Sequence, residues 1–198
     1  MFSYTIFAFT FLLIALAEIG DTTQFLVIAL AMKTKRMGAV AAGATLGISI
    51  VVILGVAAGT ILDLFIPLEL IYQVGAVVFV LLGVITLIQS FRHKHEERPA
   101  DSGIIKKSGN KKGSVLIGSA VGVGLMEFGD KTQVATITLS ATYDAPLSVA
   151  LGAILAEGAL MMVGAFVGAK LLTRMRRDLL EYTSSILFII VGISMILV

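Results

Sequence analysis

The sequence predicts an all-α membrane protein: six transmembrane helices forming two inverted-topology three-helix repeats, with both termini outside. Three observations carry that expectation. Of the 198 residues, 58% are hydrophobic and only 14% charged, against roughly 45–50% apolar and about 25% charged in soluble domains. Six apolar runs reach the about 20 residues that a helix needs to cross a bilayer. A shift of 109 residues lays the first half of the chain on the second without a gap.

The six runs cover 2–32, 38–62, 68–91, 114–141, 146–171 and 179–198. The first and fourth are longer than a straight crossing requires, so they tilt or break, and Gly20 and Gly129 stand where a break is tolerated. The N-terminal run has neither a basic leader nor a small-residue cleavage site, so it is expected to stay in the membrane. Cysteine is absent, which excludes a disulfide framework and a thiolate metal site. Tryptophan is absent too, so an interfacial belt rests on Tyr and Phe.

Basic residues set the expected orientation. Lys33, Lys35 and Arg36 follow the first run, seven Lys and Arg from Arg92 to Lys112 follow the third, and Lys170, Arg174, Arg176 and Arg177 follow the fifth. With six crossings these connections share one side, which collects fourteen of the fifteen Lys and Arg. The other side holds both termini with Asp63, Glu69 and Asp144, and no basic residue. The positive-inside rule then places the basic connections in the cytoplasm and both termini outside.

The predicted organisation is a first three-helix repeat at 1–91, a basic cytoplasmic linker at 92–113 and a second repeat at 114–198. The linker is rich in Lys, Gly and Ser and reads as flexible. His93 and His95 within it could hold a metal weakly, but a solvated charged loop accounts for them. The shift of 109 pairs Gly43 with Gly152, Gly55 with Gly164, Phe79 with Phe188 and Gly83 with Gly192. Three crossings are an odd number, so the second unit enters from the opposite side. The loop charges agree, since Lys33-Thr34-Lys35-Arg36 falls on Thr142-Tyr143-Asp144-Ala145. Inverted repeats with interrupted helices are a transporter architecture.

The shift also superposes the two most polar stretches inside apolar runs, Glu18-Ile19-Gly20-Asp21-Thr22-Thr23-Gln24 and Glu127-Phe128-Gly129-Asp130-Lys131-Thr132-Gln133. A charge at bilayer depth costs about 2.5–3.5 kcal/mol, so four carboxylates left alone cost on the order of 10 kcal/mol. Three residues apart, Glu and Asp share a helix face, and a break at Gly brings Gln24 and Gln133 back toward it, with Asp21 and Asp130 capping the second half-helices. Glu18, Asp21, Glu127 and Asp130 then form an anionic cage, to which Gln24, Gln133, Thr23 and Thr132 add neutral oxygens. An all-oxygen set suits Ca2+, Mn2+ or Mg2+. The alternative is that each Asp only caps a helix and each Glu pairs with Lys131 or a backbone amide.

Two residues break the symmetry. Lys131 stands opposite Thr22, and Glu157 opposite Ile48. Lys131 is expected to neutralise a carboxylate of the empty site or else to snorkel to an interface. Glu157 is expected to act as an extra ligand or as the proton carrier. A divalent cation must displace protons from its carboxylates, and protons returning must expel it, which is a minimal cation/proton exchange. No Walker-type loop is present, so nucleotide is not needed.

At these residues the sequence resembles the Gdt-type cation/proton exchangers, also known as uncharacterised protein family sixteen. Their mark is Glu-hydrophobic-Gly-Asp-[Lys/Arg]-[Thr/Ser], carried twice. Glu127-Phe128-Gly129-Asp130-Lys131-Thr132 fits it fully, and the first copy departs only at Thr22. The resemblance spans essentially the whole chain and implies a secondary active transporter exporting Mn2+, with Ca2+ as second candidate, in exchange for protons. The size and the N-terminus look like those of a member in the plasma (inner) membrane of a bacterium. The implied partners are divalent cations, protons and the lipid bilayer, with a homodimer allowed and no nucleic acid; the metal is cargo and no cofactor is expected. Two alternatives share features with this pattern: an amino-acid exporter of the lysine-exporter superfamily, with its three-plus-three layout, and an intramembrane aspartyl protease, with Asp in membrane helices.

Overall fold

The computed structural model describes residues 2–92, 112–171 and 177–197. Most of the linker expected at 92–113, with His93 and His95, lies outside the described residues, as do Arg174 and Arg176. Among the described residues the chain is all-helical. Its helices are α1 Tyr4–Glu18, α2 Thr22–Thr34, α3 Met37–Phe65, α4 Leu68–Arg92, α5 Lys112–Glu127, α6 Lys131–Thr142, α7 Pro146–Leu171 and α8 Arg177–Ile196.

The boundaries follow local chemistry. Ser3 caps α1, its hydroxyl accepting from the Ile6 amide at 3.4 Å, while its own amide donates to Ser148 Oγ at 2.7 Å and ties α1 to α7. Ile66 is extended ahead of Pro67, which disfavours helical backbone before it and so ends α3. Proline also opens α7, at the one position where its missing N–H costs nothing. The first apolar run breaks between Glu18 and Thr22, and α1 and α2 bend by 72° there. The fourth run breaks at the matching place, between Glu127 and Lys131.

Among the described residues, α3, α4 and α7 are each long and apolar enough to cross a membrane, and α1 with α2 makes a fourth crossing if counted as one broken span. Their outward faces are apolar too: Ile50, Ile53, Leu54 and Ile61 on α3 and Val77 and Leu81 on α4 are all exposed. A soluble helix presents polar residues there; these surfaces suit lipid as the solvent.

Inside, α4 packs along α8, where the fully buried rings of Phe79 and Phe188 stack with centroids 5.9 Å apart. α3 lies against α5, α6 and α7, and α1 against α7. Glycines permit the close crossings. A methyl group on Gly43 collides with the Leu116 carbonyl and the Ser119 hydroxyl; one on Gly152 comes within 2.8 Å of the Phe7 carbonyl and 3.0 Å of Thr10 Cβ. Phe7 and Leu116, like Thr10 and Ser119, differ by the same 109 residues as the two glycines. Gly83 against Ile189 and Gly192 against Val80 repeat the exchange. The contacts across the bundle thus obey the shift that relates the two halves of the sequence.

Candidate metal centre

Each helix break is built by its glycine and its glutamine. Gly20 and Gly129 sit at φ 80° and 86°, a left-handed backbone that a side chain disfavours. The turn leaves the glycine amide without a helical partner. The Gly20 N–H donates to Gln24 Oε1 at 2.9 Å, and the Gly129 N–H to Gln133 Oε1 at 2.6 Å. Gln24 Nε2 in turn donates to the Leu160 carbonyl at 3.2 Å, fastening the break to α7. The glutamine lies at the third position of the following helix, from which a side chain reaches back as in a capping box.

This corrects one expectation. Asp21 and Asp130 do occupy the N-cap positions, in extended backbone, but neither side chain makes a capping hydrogen bond. With the glutamine holding the turn, both aspartates are left to the site. Gln24 and Gln133 were expected as ligands, and the structure puts both of their oxygens on glycine amides. The signal was present in the sequence as the Asp-x-x-Gln spacing, repeated in both copies.

The two breaks meet. Glu18, Asp21, Glu127 and Asp130 each offer a carboxylate oxygen, and these four atoms lie within 4.8 Å of one another. Both glutamates are almost completely buried, at 3% and 2% exposure, and the aspartates are partly open. A hydroxyl crosses between the breaks: Thr132 donates to Glu18 Oε1. Thr132 also lies 3.4 Å from Oε1 of Glu157, which α7 holds 1% exposed at the edge of the cluster. Lys131 reaches the first motif, its Nζ 3.6 Å from Glu18 Oε2 and 3.4 Å from Asp21 Oδ1. Glu127 Oε2 is buried without a hydrogen-bond partner.

Coulomb's law shows what this arrangement asks for. At an effective dielectric of 20, two ionised oxygens 4.8 Å apart repel by about 3 kcal/mol, and four such groups make six pairs. Lys131 returns about 5 kcal/mol at each of its two contacts on the same scale. One ammonium does not balance four carboxylates, so protons or a further cation must complete the charge. The dimensions suit a hard cation: oxygens bound at about 2.0–2.6 Å on opposite sides of one ion stand roughly 4–5 Å apart.

A family profile for the divalent cation/proton antiporter GDT1 matches residues 6–94 and 115–198. The chain belongs to the GDT1 family. Two known proteins are similar to the chain in sequence. The GDT1-like protein sll0615 of Synechocystis sp. is 29% identical over 194 residues, covering 93% of both chains. Protein PAM71, chloroplastic, of Arabidopsis thaliana is 29% identical over 203 residues, covering 93% of this chain but 54% of its own length. The chain thus spans about half the length of the plant relative. No solved structure matches. GDT1 proteins are antiporters of divalent cations and protons, not enzymes.

Proposed function

We propose that the chain exports Mn2+, with Ca2+ as second cargo, in exchange for protons, and that Glu18, Asp21, Glu127 and Asp130 hold the ion. The observation that carries this reading is the meeting of four carboxylate oxygens within 4.8 Å at two helix breaks. The Thr132 hydroxyl orients Glu18, and Glu157 stands beside them as the group to which protons pass. Gln24 and Gln133 serve by holding the breaks open, and their second lone pairs remain available to the ion.

The reading includes six crossings, with α1–α2 and α5–α6 each as one broken span, as two inverted repeats with both termini outside a bacterial plasma membrane. The exchange of contacts under the 109-residue shift and the one-sided distribution of Lys and Arg support it. Alternating access would then rock one repeat against the other around the cage.

Because the ligands must lose protons to bind, apparent metal affinity rises with pH and binding releases protons. Purified protein in proteoliposomes with an entrapped pH dye tests this when challenged with Mn2+, Ca2+ and Mg2+ in turn. Proton movement driven by Mn2+ and absent in Glu127→Gln is the expected result; silence toward every divalent cation overturns the reading.

A further inference from the structure

We propose that Lys131 is a built-in competitor for the transported ion, its ammonium occupying the first motif's side of the cage whenever the divalent cation does not. The proposal rests on the reading that the cage binds that cation. Lys131 opens α6 at the second break, yet it pairs with Glu18 and Asp21 of the first, at 3.6 and 3.4 Å. It is only 15% exposed, so it does not snorkel to an interface.

The arrangement is one-sided. The position equivalent to Lys131 under the shift of 109 is Thr22, which is uncharged and exposed. No ammonium extends from α2 toward Glu127, whose Oε2 stays unpartnered. An ammonium within 3.6 Å of two carboxylates and a divalent ion on the same oxygens exclude each other, because both need the same lone pairs and their charges repel. Binding therefore begins at Glu127 and Asp130, with which Lys131 makes no ion pair, and completes when Lys131 swings off Glu18 and Asp21. Release runs in reverse, with the returning ammonium pushing the ion out. Lys131 is a positioning residue that trades affinity for turnover.

Calorimetric titration of the full chain in detergent with Mn2+, and separately with Ca2+, tests this on Lys131→Gln, Lys131→Arg and Thr22→Lys. Lys131→Gln should bind the ion about ten- to a thousandfold more tightly, and in proteoliposomes its proton flux should saturate at lower Mn2+ with a lower maximum. Lys131→Arg keeps the charge and should stay within about threefold of the parent. Thr22→Lys gives the second motif an arm of its own and should weaken binding about tenfold or more. If the parent binds and Lys131→Gln binds equally or less well, Lys131 is a structural partner and this inference falls, while the cage reading stands. If the parent binds neither ion, both fall. Should Lys131→Gln not fold, Thr22→Lys at its exposed position decides: unchanged affinity overturns the proposal.

Discussion

At the first break Glu18 and Asp21 share the ammonium of Lys131; at the second, Glu127 keeps one buried oxygen without any partner. The backbones of the two breaks are nevertheless alike. Each has a glycine near φ 80–86°, a glutamine accepting from that glycine's amide, and an aspartate at the N-cap that does not cap. The second break also contributes Thr132, which donates to Glu18 of the first. The comparison separates two kinds of residue. Those repeated in both copies make the break and the cage, whereas Thr22 against Lys131 and Ile48 against Glu157 give the two sides different charge. A transporter that must bind on one face and release on the other gains from such a difference.

The largest effect is expected from the glutamates: Glu18→Gln and Glu127→Gln should each lower Mn2+-driven proton flux by more than about 100-fold, beyond the usual loss for groups that merely support a ligand. A surviving Glu18→Gln beside a dead Glu127→Gln would confine the cage to the second motif. Next come the threonine hydroxyls. Thr132→Val should cost about 10–100-fold in metal affinity, and Thr23→Val less, because Thr132 reaches both Glu18 and Glu157. Equal losses in a binding titration would deny Glu157 a part.

Smaller effects probe the scaffold. Gly43→Ala and Gly152→Ala each drive a methyl group into backbone of the opposite half, and both should lower stability in a detergent thermal melt by about 1–3 kcal/mol. Gly43→Ala should be the worse, since its clash with Leu116 and Ser119 is closer than that of Gly152 with Phe7 and Thr10. Smallest is Gly129→Ala, where the methyl group meets nothing within 4 Å and only the left-handed backbone is penalised, by about 1–2 kcal/mol. Gly129→Asn should recover much of that loss in the same melt, since asparagine tolerates the conformation.

Much of this was legible in the sequence because the bilayer is a severe solvent. Apolar runs, breaks at Gly20 and Gly129, and carboxylates placed twice inside apolar runs have few physical explanations. The turn-holding role of the glutamines is not legible in the sequence, because a side-chain amide offers an oxygen equally well to a metal or to an N–H. Only the geometry of the turn, which strands the glycine amide within reach, shows the N–H contact. The same ambiguity held for the aspartates, whose N-cap position is a matter of local sequence but whose side-chain direction is not.

By itself, then, the sequence determined the helices, their breaks, the set of charged residues and the shift of 109 that pairs them, since all of these depend on near neighbours and on composition. The tertiary structure decided who meets whom: that Thr132 serves Glu18 rather than Glu127, that Gln24 is anchored on Leu160, and that Lys131 crosses to the first motif. Those partnerships join residues as much as 136 positions apart. They are fixed by how closely glycines let α3 approach α5 and α7 approach α1, a matter of packing in three dimensions that spacing along the chain does not encode.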